Sequence, residues 1–266
     1  MNLHKMKVGE AIRLMLSEEE SVPKKLLREC AAIERVVHAI ARAFKRGGRL
    51  FYVGAGTSGR LGVLDASECP PTFGSAPEQV QAIIAGGEPA LRKAVEGAED
   101  DSFAGRGAIR ARVINSKDVV IGIAASGTTP FVWGALAEAR KRRATTVLLC
   151  FNPYLAIPKK LRPAIVIAPD LGPEILTGST RLKAGTATKL LLNIFTTLAM
   201  VRSGKVVSNL MVDLSPANVK LRDRALRIVR ELTNADHARA LAALERSNWV
   251  VKKAVRRLFS RRAARA

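Results

Sequence analysis

Two segments rich in glycine and hydroxyl side chains have the composition of a phosphate-binding site. Residues 54–59 and residues 126–129 each follow a short apolar run and open a helical pattern. Backbone N–H groups at such a turn, together with the helix dipole, favour an anion, most often phosphate. Neither segment contains a lysine or arginine, so a sugar phosphate fits the pair better than a nucleoside triphosphate with magnesium. We predict five residues that bind phosphate and sugar hydroxyls: Thr57, Ser58, Ser126, Gly127 and Thr128.

Two other interpretations of these loops remain open from the residues alone. Either segment by itself could be only a helix N-cap, a position that favours Ser and Thr. Gly54, Gly56 and Gly59 also fit the G-x-G-x-x-G pattern of dinucleotide-binding proteins. That pattern requires an acidic residue at the end of the second strand, whereas Glu78 here precedes that strand. A P-loop is excluded because no Gly-Lys-Ser/Thr follows the glycines.

Carboxylates are the candidate acid and base groups of the chain. Glu68 lies just before a Pro-Pro pair, and acidic residues are dense over 96–101. Such clusters are usually solvated helix surface, but this chain has 23 acidic residues against 44 basic ones, so they stand out. The three histidines fall in helical segments away from the predicted strand ends: His4, His38 and His237. Acid and base catalysis, if the protein performs it, therefore depends on carboxylates.

The cysteines and the apolar runs bear on cofactors and location. Cys30, Cys69 and Cys150 are too few and too scattered for a disulfide framework or a zinc site, and they fit a reducing compartment. The N-terminal residues carry charges every few positions and lack the apolar core of a signal peptide. The apolar run at 190–201 is shorter than the roughly 20 residues of a membrane span. We expect a cytoplasmic protein with no metal, no cofactor and no membrane partner.

The net charge is the least usual property of the sequence. The chain has 266 residues, 48% of them apolar, so it can bury a full core, and its formal charge is +21. After Val219 there are 14 basic and 4 acidic residues. Such a surplus suits a nucleic acid or a membrane surface, but no aromatic platform or nucleic-acid-binding motif accompanies it. We interpret it as solvated helix faces and expect no nucleic-acid partner.

Short apolar runs alternate with longer helical patterns through the middle of the chain. This alternation is typical of βαβ units and a parallel sheet. The predicted strands are at 49–54, 79–85, 118–124, 145–150 and 164–168. Each is rich in Val, Ile and Leu, as expected of strands that helices cover on both faces. The fold class is therefore α/β, with a parallel sheet.

Helical patterns flank the predicted sheet on both sides. Residues 5–46 are predicted as helix ended by Gly47 and Gly48, and 183–202 as a strongly apolar helix suited to a core or a subunit interface. Three shorter amphipathic helices are predicted at 215–232, 235–246 and 248–259. The predicted domains are an N-terminal helical arm at 1–48, a sheet domain at 49–214 and a small helical C-terminal domain with a basic tail at 215–266.

Several blocks, in order along nearly the whole chain, resemble the N-acetylmuramic acid 6-phosphate etherase family. They lie at 48–62, 65–72, 85–88, 95–100, 177–187 and 209–213. The resemblance implies a sugar isomerase (SIS) domain of three αβα layers, a homodimer, and an enzyme of peptidoglycan recycling. By the family's pattern Glu68 is the acid and Glu99 the second catalytic carboxylate. We predict Arg181 and Lys183 as charge partners of the substrate.

The implied reaction cleaves the lactyl ether of N-acetylmuramic acid 6-phosphate, giving N-acetylglucosamine 6-phosphate and D-lactate. Ring opening exposes an aldehyde at C1, which acidifies the proton on C2. Ionised Glu99 is assigned to remove that proton, and protonated Glu68 to protonate the departing lactate oxygen. Water then adds across the double bond. Thr128 departs from the family's pattern, which usually has Arg there, and this puts one phosphate or sugar contact in question.

Two other functions share these features. A non-catalytic regulator would bind sugar phosphates without turnover, as the related glucokinase regulatory protein does. An aldose/ketose phosphosugar isomerase would also remove the C2 proton. The presence of both Glu68 and Glu99 favours the etherase.

Overall fold

The structure, a computed structural model, describes residues 2–213 and 219–263. Its centre is a five-stranded sheet in which all neighbouring strands are parallel, in the order β2-β1-β3-β4-β5. The strands are β1 (Leu50–Gly54), β2 (Val80–Ile84), β3 (Val119–Ile123), β4 (Thr145–Leu149) and β5 (Ile165–Ile167). All five predicted strands are confirmed, with every boundary within one residue of its prediction.

Helices and two short strands account for most of the rest. The helices are α1 (Val8–Leu27), α2 (Cys30–Lys45), α3 (Gly56–Phe73), α4 (Ser102–Ala111), α5 (Pro130–Lys141), α6 (Lys183–Arg202), α7 (Val219–Thr233), α8 (His237–Glu245) and α9 (Val251–Ala263). A hairpin, β6 (Val206–Val207) and β7 (Leu210–Met211), follows α6 and was not predicted. Single 3₁₀ turns lie at Leu3–Lys5, Glu88–Leu91, Ala98–Asp100 and Lys159–Leu161.

The strand side chains alternate between two apolar cores, one on each face of the sheet. In β1, Leu50 and Tyr52 belong to one core, and Phe51 and Val53 to the other. Helices α2, α3 and α6 cover the first face, and α4 and α5 cover the second. The near-continuous apolar strands follow from this double coverage. The predicted three-layer αβα architecture is confirmed.

The N-terminal arm is two helices, whereas the sequence predicted a single helix over 5–46. Between α1 and α2, Glu29 leaves the helical conformation, with φ −93° and ψ 10°. A single helix over that range would be about 60 Å long and would extend beyond the sheet. The break lets α2 lie along the sheet while α1 packs against α6. Of the residues of α1, only Val22 and Leu26 are buried.

The C-terminal helices enclose a third apolar core of their own. It contains Val212 from the end of the hairpin and residues of α7, α8 and α9, among them Val229, Leu244 and Val251. The third predicted helix begins at Val251 rather than at 248, because Asn248 and Trp249 have left-handed backbone conformations. The start of the first predicted helix, the predicted boundary at 214/215 and the last residues of the basic tail lie outside the described residues.

Helix α6 is the one helix in the described ranges that has the length and composition to cross a membrane. Within the fold, 56% of the most apolar 18-residue stretch of this helix is buried. It packs against α2 and α3 on the first face of the sheet. Its apolar character is therefore explained by its place in the core.

Candidate active site

The strand order creates a crevice at the carboxyl ends of β1 and β3. From β1 the chain crosses to β2 on one side and then returns to β3 on the other, so the connections diverge at this point. Ligands of open α/β sheets bind at such switch points. The two loops predicted to bind phosphate follow β1 and β3, so they flank this crevice.

The first loop passes directly from β1 into α3. Ala55 is the N-cap of α3, and no side chain caps the helix. Gly56 has a φ of +53°, which suits glycine. At Gly59 a Cβ would lie 2.5 Å from Cγ1 of Ile84, so only glycine lets the helix start this close to the sheet. The first turn of α3, with half-buried Thr57 and Ser58, thus presents backbone amides toward the crevice.

The second loop is held in shape by its own hydroxyls and by two neighbouring side chains. The Ser126 and Thr128 hydroxyl oxygens are 2.8 Å apart, and both residues are exposed. Gly127 has a φ of +81°, and its carbonyl accepts a 2.7 Å hydrogen bond from the Trp133 indole. The Asn152 amide donates to the Ser126 carbonyl at 3.4 Å. The loop therefore presents two hydroxyl groups together at the carboxyl end of β3.

Glu99 is exposed and lines a cavity beside the first loop. The cavity has a volume of about 190 Å³, and its lining includes Gly56, Arg60, Lys93 and Glu99. Glu99 belongs to the 3₁₀ turn that immediately precedes α4. Asp101 caps α4 by accepting a 2.8 Å hydrogen bond from the Ala104 amide, which fixes the end of that turn. Glu96 also lines it, so two carboxylates, two cations and a helix N-terminus share one small polar cavity.

Arg60 lines the same cavity and was not among the residues predicted from the sequence. Its Nε donates to the Leu91 carbonyl at 3.1 Å, and a terminal nitrogen donates to the Lys93 carbonyl at 3.2 Å. Arg60 therefore joins α3 to the segment that leads to Glu99. Its position in the sequence could have indicated this role, because Arg60 lies one helical turn after Gly56, at the end of the glycine-rich loop.

Glu68 lies elsewhere on the surface of the same chain. It is exposed on α3, twelve residues after Gly56, or about 18 Å further along the helix axis. Its neighbours Asp65 and Cys69 are buried, so Glu68 faces solvent. Glu68 does not line the cavity that contains Glu99. A single chain therefore does not bring the two predicted catalytic carboxylates together.

The two predicted charge partners have different surroundings. Arg181 is exposed in the loop that precedes α6. Lys183 is buried as the first residue of α6, and its ammonium lies 2.6 Å from a carboxylate oxygen of Glu18 on α1. Further into this turn, a Cβ added to Gly185 would lie 3.8 Å from the Thr57 methyl group. The first turn of α6 is thus next to the first turn of α3.

A buried polar network lies one helical turn before Glu68. The Asp65 carboxylate accepts hydrogen bonds from the Tyr52 hydroxyl at 2.9 Å and from the Thr196 hydroxyl at 3.2 Å. Burial raises the pKa of Asp65 to about 6, although both hydrogen bonds lower it. Burial and the nearby Asp65 carboxylate raise the pKa of Tyr52 and raise that of Cys69 to about 12. Asp65 was not among the predicted site residues, because the burial of one acid on a helix leaves no local signal in the sequence.

Within residues 2–213 and 219–263, no three His, Cys, Asp or Glu side chains are grouped so that they could hold a metal ion.

Comparison with known proteins identifies relatives over nearly the whole chain. An N-acetylmuramic acid 6-phosphate etherase from Gloeobacter violaceus is 54% identical over 244 residues, which is 92% of this chain and 79% of the relative. An etherase of the same name from Clostridium acetobutylicum is 49% identical, covering 96% of this chain and 84% of the relative. Residues 32–140 match the family model of the glucokinase regulatory protein N-terminal SIS domain.

Solved structures show the same fold at low sequence identity. The phosphoheptose isomerase GmhA from Neisseria gonorrhoeae has a TM-score of 0.54 at 13% identity, covering 74% of this chain and 99% of that one. A phosphoheptose isomerase from Francisella tularensis has a TM-score of 0.55 at 19% identity, covering 75% of this chain and 100% of that one. The αβα architecture is thus that of SIS-type phosphosugar isomerases.

Proposed function

This chain belongs to the N-acetylmuramic acid 6-phosphate etherase family, and from that premise we propose that Glu68 and Glu99 are the carboxylates that catalyse its reaction. The chain is an enzyme, a lyase with a SIS domain that acts on a phosphorylated amino sugar. Its reaction, cleavage of the ether of N-acetylmuramic acid 6-phosphate, serves peptidoglycan recycling. The observation that carries the site assignment is the position of Glu99 beside the uncapped N-terminus of α3.

The phosphate group is proposed to bind between the two loops at the crevice. The first amides of α3 and the Thr57 and Ser58 hydroxyls supply donors on one side. The Ser126 and Thr128 hydroxyls supply donors on the other side. Between them Gly127, which has no side chain, is proposed to let the loop backbone come close to the phosphate. Arg181 completes the binding set as a nearby exposed cation. Lys183 was also predicted as a charge partner of the substrate, but its ammonium pairs with Glu18, so we leave it out of the proposed phosphate contacts.

The chemistry begins with elimination. In the open-chain substrate the C1 aldehyde acidifies the C2 proton, and ionised Glu99 removes it. The electron pair forms the C2–C3 double bond as the C3–O bond breaks, and protonated Glu68 gives its proton to the lactate oxygen. Water then adds its hydroxyl at C3 while a proton returns to C2. The products are D-lactate and N-acetylglucosamine 6-phosphate.

We propose that the working form is a homodimer in which Glu68 of one subunit serves the cavity of the other. Within one chain Glu68 is about 18 Å further along α3 than Gly56 and faces solvent. A second copy packed on that face would bring a carboxylate to the site without any change of fold. A phosphorylated substrate of this kind also fits a cytoplasmic location, which we include in the proposal.

The direct test is D-lactate release from N-acetylmuramic acid 6-phosphate. We expect Glu68→Gln and Glu99→Gln each to lower kcat by about 10²- to 10⁴-fold, because each removes one proton-transfer group. Glu78→Gln is the matched control, since Glu78 is an exposed acid outside the proposed site. Full activity in either catalytic-residue variant would refute its assignment.

Two further measurements separate the alternative functions. Residues 32–140 match the SIS domain of a regulatory protein, and this match is the observation behind the binding alternative. A regulator would bind the sugar phosphate tightly and release no lactate. In D₂O, an isomerase would exchange a C1 hydrogen of fructose 6-phosphate or the C2 hydrogen of glucosamine 6-phosphate without cleaving an ether.

A further inference from the structure

Helix α1 of the arm holds the long loop that precedes α6 at two points. The Lys25 ammonium donates a 2.8 Å hydrogen bond to the Leu171 carbonyl at the start of the loop. At its end, the Lys183 ammonium lies 2.6 Å from Glu18, with the Lys183 side chain only 3% exposed. The hydrogen bond from Lys183 lowers the pKa of Glu18, so this carboxylate is ionised at neutral pH. Both ends of the loop are therefore fixed by charged residues of α1.

A third contact fixes the middle of the loop. The Glu174 carboxylate accepts 3.0 Å hydrogen bonds from the Lys183 and Ala184 amides, the first two of α6. Lys183 thus connects α6 to two other segments. Its backbone amide binds Glu174 of the loop, and its side chain binds Glu18 of α1. Displacement of Lys183 would disturb the loop and the first turn of α6 together.

The loop and the turn lie beside the proposed phosphate-binding residues. Arg181 is two residues before Lys183, and Gly185 faces the Thr57 methyl group. A shift at Lys183 therefore changes where Arg181 and Gly185 lie relative to Thr57 and the crevice.

We propose that Glu18 is a positioning residue that, by pairing with buried Lys183, fixes the loop and the first turn of α6 against the phosphate-binding site. The inference rests on the proposed function, because it assumes that a sugar phosphate binds there. Its physical cause is the cost of an unpaired buried charge. Without Glu18 the Lys183 ammonium has to move toward water, and the start of α6 moves with it.

Glu18→Ala is expected to raise KM for N-acetylmuramic acid 6-phosphate by about tenfold while kcat changes less than about threefold, because phosphate contacts act equally on substrate and transition state. Glu20→Ala, which changes an exposed acid on the same helix, is the matched control and should behave as wild type. An unchanged KM in Glu18→Ala would overturn the proposal.

A double variant tests whether Lys183 itself binds the substrate. Adding Lys183→Met to Glu18→Ala removes the unpaired ammonium and leaves a side chain of similar length. If Lys183 serves only as the partner of Glu18, KM of the double variant is no higher than that of Glu18→Ala. A higher KM would mean that Lys183 acts on the substrate independently of Glu18, and the proposal would fail.

Trypsin gives a readout that does not depend on activity. Between Arg162 and Lys183 the only Lys or Arg in the sequence is Arg181, so cleavage after Arg181 reports on the loop. We expect this cleavage, identified by mass spectrometry, to be about tenfold faster in Glu18→Ala than in wild type or Glu20→Ala. Equal rates would overturn the proposal. A wild-type protein that releases no lactate would instead refute the proposed function and leave this result standing.

Discussion

At the scale of single residues, the main finding is how differently neighbouring acids on α3 are placed. Asp65 is buried and bound by Tyr52 and Thr196, whereas Glu68, three residues later, is exposed. One helical turn thus presents one acid to the core and one to the surface. Asp65 has no part in the proposed chemistry. When its buried carboxylate is ionised, it lowers the free energy of unfolding.

Asp65 should make stability depend on pH between about 5 and 8. Its pKa rises from 3.8 to about 6 on folding, so the folded state binds the proton more tightly than the unfolded chain. The stability it contributes is therefore greatest below pH 3.8 and is lost as pH rises through about 6. Relative to Asp65→Asn, we expect wild type to lose about 1 kcal/mol of unfolding free energy between pH 5 and pH 8.

Urea unfolding at each pH measures this difference in the free energy of unfolding. The contributions of the other titrating groups are the same in both proteins and cancel in the difference. Asp100→Asn, which changes an exposed acid, should show a constant difference from wild type. A difference between wild type and Asp65→Asn that does not vary with pH would contradict the argument.

At the scale of elements, Glu99 is positioned by the close packing of α4 on α5. A Cβ at Gly105 of α4 would lie 2.1 Å from the Phe131 carbonyl oxygen, and one at Gly134 of α5 would lie 2.0 Å from the Ser102 carbonyl oxygen. Only glycine permits this approach of the two backbones. Because the turn with Glu99 directly precedes α4, the distance between α4 and α5 sets where Glu99 lies.

Two glycines of α4 should respond oppositely to the same substitution. Gly105→Ala is expected to cost about 1–3 kcal/mol of unfolding free energy, because the two helices must separate. Gly107 has no atom within 4 Å of an added Cβ, so Gly107→Ala should stabilise the protein by up to about 1 kcal/mol through helix propensity. Denaturant unfolding measures both changes. Destabilisation of similar size in both variants would show that close packing is not the cause.

At the scale of the whole molecule, an apolar groove supports the proposed homodimer. Helices α1, α2 and α6 line a groove of about 560 Å³ on the first face of the sheet. Its apolar lining includes Leu26, Leu27, Ile33, Ile194, Leu198 and Val201. The preceding part of α1 also exposes Val8, Ile12 and Leu16. An apolar surface of this kind is typical of a face that another protein surface covers.

Mixed dimers test whether the site is shared between subunits. Coexpressed Glu68→Gln and Glu99→Gln chains should recover about a quarter of the wild-type rate, because half of the dimers are mixed and each mixed dimer has one intact site of two. Each variant alone should stay at least about 100-fold below the wild-type rate. If each chain supplied both carboxylates to its own site, coexpression would restore nothing.

The sequence by itself determined the elements and the family. Apolar runs of strand length and the glycine-rich turns are local patterns, so all five strands and both crevice loops were predicted, as was the span of α6. The family followed from blocks of sequence that resemble one set of enzymes. These features depend on neighbouring residues, which a sequence shows directly.

Only the tertiary structure decided which side chains meet. It divided the arm into two helices, buried Asp65, paired Lys183 with Glu18 across 165 positions, and left Glu68 outside the cavity of Glu99. Each of these outcomes depends on how helices pack on the sheet. Contacts between residues far apart in the chain follow from packing rather than from local pattern, and for that reason they were not predicted.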